Sequence, residues 1–94
     1  MADLDTRTRY ALVASLTPQV ADALLPDNYV MIGTLRDGYS VISGIDNSSW
    51  RLEVDVLPRV QATGRDCREL SEAEATTLLN QGNLTPAGSY RTQI

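Results

Sequence analysis

Tyr29-Val30-Met31-Ile32-Gly33-Thr34-Leu35-Arg36, Asp37-Gly38, Tyr39-Ser40-Val41-Ile42-Ser43-Gly44-Ile45 is the stretch that decides the fold. Two runs rich in β-branched residues flank an Asp-Gly pair, the short-range signature of a two-residue hairpin turn. The turn sets Arg36 opposite Tyr39, Thr34 opposite Val41, Ile32 opposite Ser43 and Val30 opposite Ile45. Asp46-Asn47-Ser48-Ser49 then leads into Trp50-Arg51-Leu52-Glu53-Val54-Asp55-Val56-Leu57. Its strict alternation of apolar and polar residues reads as a third strand. The expected meander over 29–57 has one apolar face carrying Val30, Ile32, Val41, Ile45, Trp50, Leu52, Val54 and Val56, assigned to the core. On this reading Val54→Asp abolishes cooperative unfolding.

Outward from the meander, residues 5–25 read as helical. Leu4, Thr8, Ala11, Leu12 and Leu16 recur at roughly helical spacing. Thr17-Pro18 then restarts the helix, with Thr17 as N-cap and proline at the first helical position. After Pro58, residues 59–63 read as a short edge strand or an extended linker, and Gly64 as a turn. Residues 72–81 form a helix opened by a Ser71–Glu74 capping box and a Leu70–Ala75 staple, with Gly82 closing it. Residues 83–94 read as a loose tail that Tyr90 and Ile94 could dock. The fold class is therefore α+β: N-terminal helical segments, a three- to four-stranded antiparallel β-meander and a C-terminal helix, in one domain over 1–94.

Composition narrows the function. Eight Arg and no Lys stand against 12 Asp+Glu, for a net charge of −4, and the arginines are scattered from Arg7 to Arg91. Nucleic-acid affinity rests on a clustered basic face, so no nucleic-acid partner is expected. The absence of lysine and phenylalanine suggests a GC-rich bacterial or phage genome. No apolar run reaches membrane-spanning length, and Met1-Ala2-Asp3-Leu4-Asp5 lacks the features of a signal peptide. The single Cys67 fits a reducing compartment. A cytoplasmic location with no membrane association is the expectation.

The chemistry expected is not catalytic. With no histidine the usual general base is missing, and with no lysine there is no Schiff-base nucleophile. One cysteine without histidine forms no zinc set, so neither metal nor cofactor is expected. Glu53 and Asp55 are read as a solvated acidic face, Asp46–Ser49 as a turn and Cys67 as an incidental thiol.

The surface is more suggestive. Met31, Leu35, Ile42 and Leu57 crowd the second face of the meander, which should be polar if solvated. Either a helix covers them or they form an interface. The leading expectation is a small non-catalytic module that binds another protein through this outer face or the sheet edge. Its partner-binding residues are Met31, Leu35, Ile42 and Leu57 with a polar rim of Arg36, Arg51 and Glu53. A homodimer joined along the first strand of the meander is one form of this reading. The alternatives are a small-ligand pocket between sheet and helices using Tyr39, Ser43 and Thr34, and an acidic inhibitor that mimics or blocks a basic surface.

Overall fold

The computed structural model describes residues 7–35 and 38–80, and the backbone of 84–86. It is a mixed α+β fold. The strands are β1 (Thr8–Ala14), β2 (Tyr29–Leu35), β3 (Tyr39–Ile45), β4 (Cys67–Leu70) and β5 (Leu84–Pro86). They form one antiparallel sheet in the order β4-β1-β3-β2-β5. The helices are α1 (Pro18–Leu24), α2 (Leu57–Gln61) and α3 (Glu72–Asn80), and a π-helical segment, Leu52–Val56, runs directly into α2.

The β2–β3 hairpin forms where expected, with a different register. Thr34 lies opposite Ser40 and Gly33 opposite Val41; a bulge between Met31 and Gly33 then sets Val30 opposite Ser43. Gly38 has a left-handed φ of 90° and its N–H donates to the Leu35 carbonyl, the backbone state glycine adopts most readily. The bulge turns the downstream half of β2 over. Leu35, expected beside Met31, therefore lies on the opposite face.

Three segments depart from expectation. Residues 8–14 are a strand, not a helix. β1 lies inside the sheet, between β3 and β4, and is packed on both faces: Ala11 and Val13 against the main core, Tyr10 and Leu12 against the α3 cluster. A strand buried twice loses the polar alternation that marks a strand, and the helical spacing was coincidental. It ends at Ser15, whose φ of 57° turns the chain toward α1.

The segment 52–61 is helical, so 52–57 is not a third strand and 59–63 is not a fourth. Leu52, Val56 and Val60 recur every four residues and are fully buried, whereas Val54 is 58% exposed. The Asp55 carboxylate accepts from the Arg51 N–H at 2.8 Å, fixing the first turn. Val56 N–H bonds to the Arg51 carbonyl five residues back. Pro58, which has no N–H to give a ladder, sits in the first turn of α2. Finally, residues 84–86 pair with β2, so this part of the supposed tail belongs to the sheet. Gly82, Tyr90 and Ile94 lie outside the described residues.

The helix signals hold. Thr17 Oγ1 accepts from Val20 N–H, with Pro18 in the first turn. Ser71 and Glu74 exchange two 3.0 Å bonds across the start of α3, and Leu70 and Ala75 share one cluster. Gly64, at φ 87°, closes the turn after α2.

The sheet separates two cores. On one face α1, the π-helical segment and α2 pack over Ala11, Val13, Tyr29, Met31 and Ile42. Burying each large aliphatic there contributes about 1.5–3 kcal/mol. On the other face, among the described residues, α3 lays Ala75, Leu78 and Leu79 over Tyr10, Leu12, Val41 and Leu70.

Candidate functional site

Met31 and Ile42 share a face, as the sequence suggests, but that face is the main core: Met31 is 3% exposed and Ile42 is fully buried. Leu35 and Leu57 are buried too. The cover is the segment read from sequence as a third strand. Wound as a helix, it folds back over the side it was expected to leave open. Met31 and Ile42 lie under this cover and Leu57 belongs to it, while Leu35 is buried on the opposite face. Arg51 and Glu53 are exposed on the helical cover, and Arg36 lies outside the described residues. The ligand-binding alternative scatters as well. Thr34, opposite Ser40, faces the main core; Ser43 and Tyr39 lie on the other face, beside Val30 and Ala14 respectively. The first strand of the meander is not a bare edge, because β5 takes its Gly33–Leu35 stretch.

The apolar surface that remains is the part of the second sheet face that α3 does not reach. Val30 is 38% and Ile45 46% exposed, both on that face. In the register Val30 lies opposite Ser43, Ser43 opposite Tyr10 and Ile45 opposite Thr8. Side chains directly or diagonally opposite across strands lie within contact range, so Val30, Ser43, Ile45, Thr8 and Tyr10 form one continuous patch. Ile32 joins it to the α3 cluster. The sequence pattern places Val30 and Ile45 in the core, but the segment expected to cover them as a helix is itself strand β1.

Behind the patch the sheet is braced by a polar network joining residues far apart in the chain. Arg9, 8% exposed, donates to Asp46 Oδ2 at 3.0 Å and to Glu69 Oε2 at 2.7–2.8 Å. Asp46 Oδ1 accepts from the Tyr29 hydroxyl and, at 2.8 Å, from the Leu52 N–H. Burial, then the Asp46 hydrogen bond and charge, push the Tyr29 phenol far above its ordinary range. Gly44 makes the arrangement possible. A Cβ there would come within 2.6 Å of the Tyr29 ring and 2.0 Å of the Asn28 carbonyl, so the ring can lie across β3 only at a glycine. Asp46 is thus a clamp between β3 and its helical cover. Asn47 Oδ1 makes the adjoining turn by accepting from Ser49 and Trp50 N–H. Nothing in the sequence pairs Arg9 with Asp46; the only trace is an acid at a strand end.

Other features are modest. A hollow of about 520 Å³ beside β4 is lined by Tyr39, Gln61, Arg65, Cys67 and Arg68 among others. Burial, with Asp66 adding to it, pushes the Cys67 thiol up, away from the thiolate a nucleophile needs. Arg59 stacks over Trp50, 5.5 Å from the ring centre. Among the described residues no cluster of three His, Cys, Asp or Glu side chains is placed to hold a metal ion. No helix of those residues is long and apolar enough to cross a membrane. Comparison with known proteins yields no matching family model, no matching curated protein and no matching solved structure.

Proposed function

We propose that the protein is a small non-catalytic module that binds another protein through the bare part of its second sheet face. One observation carries this reading: Val30 and Ile45, two of the three large aliphatics exposed among the described residues, stand together on one face. Contiguous apolar surface at the centre of a polar rim is how protein interfaces are built. Tyr10 adds an aromatic of the kind that anchors such contacts, with Thr8 and Ser43 as polar neighbours.

The test compares wild type with Val30→Glu/Ile45→Glu as baits in affinity capture from the source organism. A second control, Val54→Glu, alters an exposed apolar residue on the other side of the sheet. A protein retained by wild type and by Val54→Glu, and lost from the double variant, is the expected result. Identical captures by all three baits would overturn the assignment of this face.

A further inference from the structure

The exposed edge of β4 is self-complementary in charge. β4 ends the sheet order, and its pairing with β1 fixes which backbone groups point outward. Ala14 N–H donates to the Asp66 carbonyl at 2.8 Å, which makes 14/66 a hydrogen-bonded pair. Opposite residues in an antiparallel ladder alternate between bonded and non-bonded pairs. Arg68 and Leu70, opposite Leu12 and Tyr10, therefore turn their N–H and C=O groups toward β1. Cys67 and Glu69 turn theirs to the open edge.

We propose that this edge pairs antiparallel with β4 of a second copy of the chain, about a two-fold axis through Cys67. Opposite residues in a sheet must share a face, so an axis normal to the sheet has to pass through a residue. An axis at Arg68 sets Arg68 against its own copy, and one at Glu69 sets Glu69 against its own copy. Like charges directly opposite are unfavourable. An axis at Leu70 would need residues of α3 to pair as a strand. The axis at Cys67 gives a different result across Arg65-Asp66-Cys67-Arg68-Glu69. Asp66 meets Arg68 of the second copy, and Arg65 meets Glu69 of the second copy, each pair occurring twice. Cys67 and Glu69 present their outward backbone groups to the ladder in that register.

The side chains suit such an exchange. Asp66 is exposed, and the Arg68 side chain is 59% exposed, its ion pair among the described residues being a 3.5 Å contact to Glu74, itself 51% exposed. Glu69 keeps 32% of its side chain exposed while holding Arg9. The product is a continuous sheet running through both copies. Its contact lies on β4 and the two residues that lead into it, Arg65 and Asp66, apart from the Val30–Ile45 face, so failure of either proposal leaves the other intact.

The test uses the full chain. Analytical ultracentrifugation from micromolar to millimolar protein should show a monomer–dimer equilibrium that weakens with added salt. Asp66→Arg and Arg68→Asp should each weaken it about tenfold or more, since each converts two attractive cross-strand pairs into repulsive ones. The swap Asp66→Arg/Arg68→Asp restores opposite signs and should restore the dimer. Amide exchange supplies the location: Cys67 and Glu69 N–H should become protected as concentration rises, while Arg68 N–H is protected throughout. A monomer across the whole range, a dimer indifferent to the single reversals, a swap that fails to rescue, or unchanged exchange at Cys67 and Glu69 would each overturn the proposal.

Discussion

Removing the Asp46 carboxylate should be among the most damaging single changes this chain can suffer. Its side chain is 5% exposed and serves Arg9, the Tyr29 hydroxyl and the Leu52 N–H together. Asp46→Ala leaves a buried hydroxyl and a buried N–H without that acceptor, and deprives Arg9 of one of the two carboxylates that meet it among the described residues. Losing one partner of a buried charge pair typically costs about 3–5 kcal/mol. The surviving Arg9–Glu69 contact keeps the expected loss within that range rather than above it. Asp46→Asn keeps an acceptor oxygen for Tyr29 and Leu52 but loses the charge facing Arg9, for which about 1.5–3 kcal/mol is expected. A domain of this length holds roughly 5–14 kcal/mol in all, so the alanine variant should sit near its unfolding midpoint under mild conditions. Urea unfolding followed by the fluorescence of Trp50, the single tryptophan, measures both. An alanine variant within about 0.5 kcal/mol of wild type, the range of ordinary surface changes, would refute the clamp. So would an asparagine variant less stable than the alanine one.

Three further outcomes are expected. Tyr29 has its pKa raised in the folded state from the ordinary 10.0, so its contribution to stability is complete below pH 10 and is lost as pH rises beyond that; Tyr29→Phe should flatten the alkaline fall in denaturation midpoint. Val54→Asp should unfold cooperatively within about 0.5 kcal/mol of wild type, because Val54 is 58% exposed, whereas Ile42→Ala should cost about 2–5 kcal/mol; equal midpoints for the two would refute the assignment of the main core. Ser71→Ala removes the α3 cap that receives the Glu74 N–H and should cost about 0.5–2 kcal/mol in thermal or urea unfolding.

Signals confined to a few neighbouring residues were legible in the sequence. The β2–β3 hairpin, the Thr17-Pro18 helix start, the Ser71–Glu74 box and the Gly64 turn all depend on local backbone chemistry, and all appear in the structure, although the hairpin's register is one residue off that of the two-residue turn expected. Segments whose state depends on surroundings were misread. β1 looks helical because packed layers cover both of its faces, so apolar residues occupy successive positions. Residues 52–57 look extended because Glu53 and Asp55 alternate with apolar residues, yet only Leu52 and Val56 of the first five are buried. That second misreading propagated to the site: once 50–57 was taken for a strand, Met31 and Ile42 lost the segment that covers them, and a core was mistaken for a surface. Grouping Met31 with Ile42 on one face, and Val30 with Ile45 on the other, survived because Val30 and Met31 both precede the bulge and β3 alternates without a break.

The strand order has a consequence in time. β2 and β3 meet across a short turn, but β1 is joined to β3 over about thirty residues and to β4 over more than fifty. Loops of that length make pairing slow relative to local contacts. As the chain leaves the ribosome, β1 emerges before either of its neighbours and carries apolar side chains on both faces. It must stay uncommitted until residue 45 is available on one side and residue 70 on the other. Whatever shields Ala11, Leu12 and Val13 in that interval governs how much of the newly made chain reaches the native sheet.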